Sequence, residues 1–326
     1  MALLHTLALL TAALAPIFAT AFATAADNFP TKPMRLIAPY PPGGTSDIIA
    51  RLVGQKLTDV WGQQMVVDNR AGANGGIGCE VAAKSPADGY TLLIGNMTPI
   101  AANPSLYKKL GYDSLRDFHG VSLVAAGPNV LVVNPNVPVK SVQDIIALAK
   151  AKPSSLNFGS GGAGSPAHLA GELFKTLTGV QMTHVPYKGT VLSVNDLIAG
   201  QVQLVFSDAP PAIPHVKSGR LRAIAVTGAK RTPLMPEYPT VAESGVPGFA
   251  LDNWWGILVP TGTAKDRIAR INTELVKIMQ SADAKTRFAN LGVEAIHSTP
   301  AEFDAYIRSE YTKLAKVIKD AGAKAD

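Results

Sequence analysis

Short apolar runs alternate with amphipathic ones along most of the chain. Residues 35–38, 65–67 and 91–94 are brief and apolar and predict buried strands. Between the first two, 47–60 sets Ile49, Leu52, Val53, Leu57 and Val60 three and four residues apart, which predicts one apolar stripe on a helix. Residues 76–84 predict a second helix. This alternation favours parallel sheets with helices on both faces. Residues 121–133 break the rhythm: the run is apolar almost throughout and is interrupted at Gly127-Pro128. It is too long for one ordinary strand and too interrupted for a helix. A strand crossing between two domains fits it.

A second block follows. Ser141 predicts the cap of a helix ending near Lys150, then come a strand at 156–158, a helix at 167–178 and a strand at 183–185. A helix at 191–198, a strand at 202–206, a short helix at 212–218 and a strand at 221–226 complete it. Residues 249–259, with Trp254-Trp255, predict the return crossing, and 265–280 and 300–321 predict long amphipathic helices. The expected division is 26–126 plus 251–326 as one domain and 127–250 as the other. Two crossings make a hinge, and the cleft beside it is the natural ligand pocket.

The first 25 residues hold no Lys, Arg, Asp or Glu, and 7–22 are apolar. Ala23-Thr24-Ala25 supplies a small-x-small site, so 1–25 predicts a secretory leader cut near Ala25/Ala26, although its first six residues carry only His5. Pro16 interrupts the run, which is short for a membrane span. A soluble, exported mature protein is expected. Hydrophobic residues make up 47% and charged residues 17%, which suits a packed core and excludes disorder. The net charge of +6 is scattered, with no basic stripe or aromatic platform, so nucleic acid is not an expected partner. The single cysteine, Cys79, cannot form an internal disulfide and lies in an Ala/Val-rich helical pattern as a small hydrophobe.

Candidate chemistry concentrates in two glycine loops. Tyr40-Pro41-Pro42-Gly43-Gly44-Thr45-Ser46-Asp47 lies between a strand and a helix. Its glycines permit a tight bend, and its Thr, Ser and Asp suit a helix N-terminus, whose free N–H groups and partial positive charge attract anions. Residues 159–166, Gly-Ser-Gly-Gly-Ala-Gly-Ser-Pro, have the same placement and suggest a second anion-ready helix start facing the first. Gly159, Gly161 and Gly164 match G-x-G-x-x-G formally. The next strand, however, ends in Tyr187-Lys188 where a dinucleotide site needs an acid. His168 sits in the first turn of its helix, as a packing or a binding group. Lys188 either pairs with a ligand carboxylate or is a solvated lysine. Asp208 either accepts from a ligand hydroxyl or amine or caps its turn. G-x-S-x-G, H-E-x-x-H and the P-loop pattern are all absent. The first loop looks built to hold something acidic and not to react with it. A hydrolase using Ser165 is the enzyme alternative, and a ligand sensor feeding a signalling partner is the other.

These motifs together resemble the tripartite tricarboxylate transporter substrate-binding proteins, the Bug family. The resemblance is carried by 33–47, 67–76, 87–93, 159–172, 184–189 and 196–202, and it spans nearly all of the chain after the leader. It implies a type II periplasmic binding protein of the Venus-flytrap kind, with two Rossmann-like α/β domains joined by crossing strands. It implies a monomeric periplasmic receptor, with no catalysis and no cofactor, that captures a small carboxylate (a di- or tricarboxylate, an acidic amino acid or an aromatic acid) for integral-membrane permease subunits. Binding roles carry over onto Tyr40, Gly43, Gly44, Thr45, Ser46 and Asp47 in the first loop. In the second domain they carry over onto Ser160, Gly164, Ser165, His168, Tyr187 and Lys188, with Asn96 and Asp208 as further members.

Overall fold

The computed structural model describes residues 28–322, so the leader expected at 1–25 lies outside the described residues. The first elements are β1 (Met34–Ala38), α1 (Thr45–Trp61), β2 (Met65–Asn69), α2 (Gly76–Ala83) and β3 (Thr91–Asn96). A π-type turn at Thr98–Ala102 runs into the single turn α3 (Asn103–Leu106), and β4 (Phe118–Val133) follows. Next come α4 (Val142–Ala151), β5 (Asn157–Ser160), α5 (Pro166–Thr178), β6 (Thr183–Pro186), α6 (Thr190–Ile198), β7 (Leu204–Asp208), α7 (Ala209–Lys217) and β8 (Arg222–Val226). The chain closes with β9 (Asp252–Pro260), α8 (Lys265–Gln280), α9 (Ala282–Asn290), β10 (Glu294–Ala295) and α10 (Pro300–Ala321).

Strand pairing makes two α/β lobes that share one strand. In the first, β2, β1 and β3 run parallel, and β9 lies antiparallel between β3 and β4. The first half of β4 also carries β10. The second half of β4 is flanked by β7 and β8, and β7, β5 and β6 run parallel. The interrupted apolar run is therefore one 16-residue strand whose neighbours change near Gly127-Pro128. Proline has no N–H for a ladder, and it falls where pairing passes from one lobe to the other. The buried Thr227 ties both crossings: its Oγ1 accepts from Asn129 N at 2.8 Å and donates to Leu251 O at 2.6 Å.

Burial explains the elements. Ile49, Val53 and Leu57 of α1 and Ile271 and Leu275 of α8 pack with Trp255 and Ile257 on one face of the first lobe. Val130, Val132, Val194, Leu197 and Ala212 fill the outer face of the second. The largest cluster continues from Leu93, Trp254 and Phe303 into Phe158, Phe206 and Phe249, so the two lobes share apolar packing near β4. Each fully buried side chain of this size contributes about 1.5–3 kcal/mol. Helix α10 contacts both β4 and α5, and Thr299 and Glu302 form a capping box at its start.

The long helices α8 and α10 begin and end where the amphipathic pattern puts them. Val60 is 51% exposed: in the last turn of α1 the inward position falls to Trp61, four residues after Leu57, which packs against the core and Phe29. Strand β7 starts two residues later than expected. The pattern did not anticipate α9, β10 or the turn at 98–106. Cys79 is fully buried, and burial pushes its thiol pKa well up. Among the described residues, no helix is long and apolar enough to cross a membrane.

Candidate functional site

The first loop is braced from behind. Gly43 has φ +81°, in the left-handed region that glycine enters without strain. Its N–H donates to Asp47 Oδ2 at 2.9 Å, and Asn69 Nδ2 donates to Asp47 Oδ1 at 3.0 Å. Arg51 Nε also donates to Asp47, at 3.1 Å. Burial alone would raise the Asp47 pKa, but these donors together hold it below the usual carboxylate range. Gly44 is the N-cap of α1, and no side chain accepts from the first N–H groups of that 17-residue helix. They and the positive end of the helix dipole are left available to a ligand.

A cavity of about 140 Å³ lies at this helix start, between the lobes. From the first lobe, Tyr40, Gly44, Thr45, Ser46 and Asn96 line it; from the second come Ser165, Lys188 and Asp208. Asn253, at the start of β9, completes the wall near the crossing. Thr45 Oγ1 donates to Asp208 Oδ2 at 3.0 Å, and Asn253 Nδ2 donates to Asp208 Oδ1 at 3.1 Å. One carboxylate thus joins the second lobe to α1 and to the crossing strand. Burial raises the Asp208 pKa, and its two donors offset part of that rise. Asn96 is 5% exposed, and its buried Oδ1 has no hydrogen-bond partner.

The other expected site residues stand behind the wall. Gly43 and Asp47 shape the first loop as described. Ser160 is fully buried; its Oγ accepts from Gly162 N at 3.1 Å and lies 2.6 Å from His184 Nε2. His168 Nδ1 accepts from Gly164 N at 2.8 Å, which fixes the second loop from beneath. The His168 and His184 rings stack with centroids 4.0 Å apart, and Phe158 stacks on His184. Burial and the neighbouring His168 push the His184 pKa down to about 3. Tyr187 donates to Asp196 Oδ2 at 2.7 Å, and burial pushes its hydroxyl pKa up to about 12.

The second open helix start differs from the expected one. Ser165 Oγ accepts from His168 N at 3.3 Å and so caps α5, whose first residue is Pro166. A proline offers no N–H, so that terminus has little left for an anion. Helix α6 instead has Gly189 at its N-cap, with φ +122° and no side-chain cap. Gly189, Thr190, Val191 and Leu192 line the cavity opposite the first loop. The signal was the Gly189-Thr190 pair after a strand; Asn253 had no local signal at all. The lobes are in contact around the cavity. Asn74 Nδ2 donates to Ala163 O across the seam, and a Cβ on Gly164 would stand 1.9 Å from Leu106 Cδ1. Among the described residues, no group of three His, Cys, Asp or Glu is placed to hold a metal ion.

Two α/β lobes joined by β4 and β9, with a cavity at their seam, define a type II periplasmic binding protein fold. The chain belongs to the tripartite tricarboxylate transporter family of receptors, whose family model matches residues 49–323. Protein BugT of Bordetella pertussis is 39% identical over 300 residues, covering 92% of this chain and 92% of BugT. The structure of R. palustris Rpa4515 with adipate superposes with a TM-score of 0.89 at 38% identity, covering 91% of this chain and 99% of that one. MatC (Rpa3494) from Rhodopseudomonas palustris with bound malate gives 0.83 at 27% identity, covering 89% and 100%. The periplasmic binding protein BugD gives 0.84 at 29% identity, covering 91% and 99%.

Proposed function

We propose that this receptor works in the periplasm, captures a small organic carboxylate between its lobes and presents it to a membrane permease of the tripartite tricarboxylate kind. The uncapped start of α1, open to a cavity between the lobes, carries the reading. A carboxylate there accepts from main-chain N–H groups and meets the helix dipole, worth up to ~2 kcal/mol in a partly buried setting. Lys188 adds a positive charge on the facing lobe. The adipate and malate held by similar proteins are acids of the size that suits such a cleft. The wall groups named here are suited to holding an acid and orienting it.

The test is a thermal-shift panel of mono-, di- and tricarboxylates on protein unfolded and refolded to strip any ligand. At about 100 times its dissociation constant a ligand adds roughly 2.7 kcal/mol, a shift of several degrees for a chain of this size. At least one acid is expected to give that shift. A panel in which none does sinks the reading.

A further inference from the structure

We infer that Asp208 makes this cleft select acids that carry a hydrogen-bond donor, a hydroxyl or an amine, beside the carboxylate. The inference rests on the carboxylate-receptor reading and names the ligand class within it.

Asp208 is the N-cap of α7, where an aspartate normally accepts from the second or third helical N–H. Those positions are Pro210 and Pro211, which have no N–H. The side chain makes no capping bond and turns to the cavity, which it lines. Its two oxygens accept one bond each, from Thr45 and Asn253, so each keeps a free lone pair. Thr45 is also the first residue of α1. An acid seated on the α1 N–H groups therefore puts its neighbouring atoms beside Asp208.

The surroundings favour a donor there. Asp208 and Lys188 are the two ionic side chains of the cavity wall, and Lys188 faces it from the loop before α6. The remaining polar neighbours are the hydroxyls of Tyr40, Thr45, Ser46, Ser165 and Thr190 and the amides of Asn96 and Asn253. A ligand group without a donor meets a carboxylate it cannot bond, and a second bare carboxylate meets a like charge. The second observation is independent: Asn96 Oδ1, on the same wall and nineteen-twentieths buried, is another acceptor that makes no hydrogen bond. Buried acceptors in folded proteins find partners. A ligand that brings a donor into the cavity supplies one here.

The experiment is titration calorimetry with matched pairs, malate against succinate and 2-hydroxyglutarate against glutarate, on wild type and on Asp208→Asn. Wild type is expected to bind the hydroxy acid at least about tenfold tighter, the scale of a hydrogen bond to a charged group. Asp208→Asn removes the charge, so the plain acid gains affinity and the preference shrinks. Equal binding of both members of each pair to wild type overturns the inference and leaves the receptor reading standing. So does an undiminished preference in a variant that melts as wild type does. If Asp208→Asn does not fold, the wild-type pairs decide alone. Binding of no acid at all to wild type overturns the receptor reading and the inference with it.

Discussion

Gly164→Ala separates the closing of the lobes from the stability of the fold. Gly164 has φ +78°, so alanine there costs about 1–2 kcal/mol in any state of the folded protein. That term lowers Tm and leaves affinity alone. The new methyl would also stand 1.9 Å from Leu106 Cδ1, which belongs to the other lobe. Leu106 is 8% exposed and packed in the shared core, so it cannot step aside freely. Forcing a methyl group into a packed contact costs typically 1–3 kcal/mol, and here the cost falls on the lobe-to-lobe contact. Affinity for a ligand that needs the closed cleft should drop by about 5- to 150-fold. Calorimetry with the tightest acid from the thermal-shift panel measures the drop, and Leu106→Ala in the same chain should recover most of it. Affinity within twofold of wild type in the single variant, or no recovery in the double, refutes the argument.

Gly44→Val should abolish carboxylate binding with Tm nearly unchanged, as read by calorimetry and melting together. Gly44 has an ordinary φ of −76°, and a Cβ there meets only Pro41 O, at 3.4 Å, while the rest of the side chain enters the cavity. His184 should make the fold sensitive to mild acid. Its folded pKa of about 3 lies below the unfolded 6.5, so the unfolded chain takes up a proton first as pH falls. Stability is full above pH 6.5 and is lost downward to about pH 3. The loss at pH 5 is at most about 2 kcal/mol relative to neutral pH, reduced by solvent screening of this partly exposed ring. Melting curves of His184→Gln between pH 7 and 5 should be flatter than those of wild type.

The first loop was legible because each of its signals is local. A strand, two glycines and a run of helix-starting residues fix where an open helix end must lie, and Gly44, Thr45 and Ser46 stand there. Helices α8 and α10 were legible from an apolar stripe held over many turns. The short turn at 98–106 is packed by residues distant in sequence, and no periodicity announces it. The loop at 159–166 lines the cavity, but its helix start is closed and the open one lies at 189–190, for a physical reason present in the sequence. Ser165-Pro166 makes a self-capped helix, and Gly189-Thr190 makes an open one. The same holds for Asp208: two prolines after an N-cap aspartate rule out the capping bond that the residue alone suggests. Asn253 enters the site only because β9 returns beside Asp208, a neighbourhood that pairing creates.

The position of β9 between β3 and β4 also orders events as the chain folds. Every strand of the second lobe lies before residue 227, so that lobe has all its pairing partners without the last hundred residues. The first lobe cannot, because β3 and β4 have no shared edge until residues 252–260 arrive to fill the gap. Its earliest strands must wait, unpaired on that side, for a segment some 160 residues further along the chain. The glycine loop after β1, near the front of this lobe, is therefore among the last parts to find its seat.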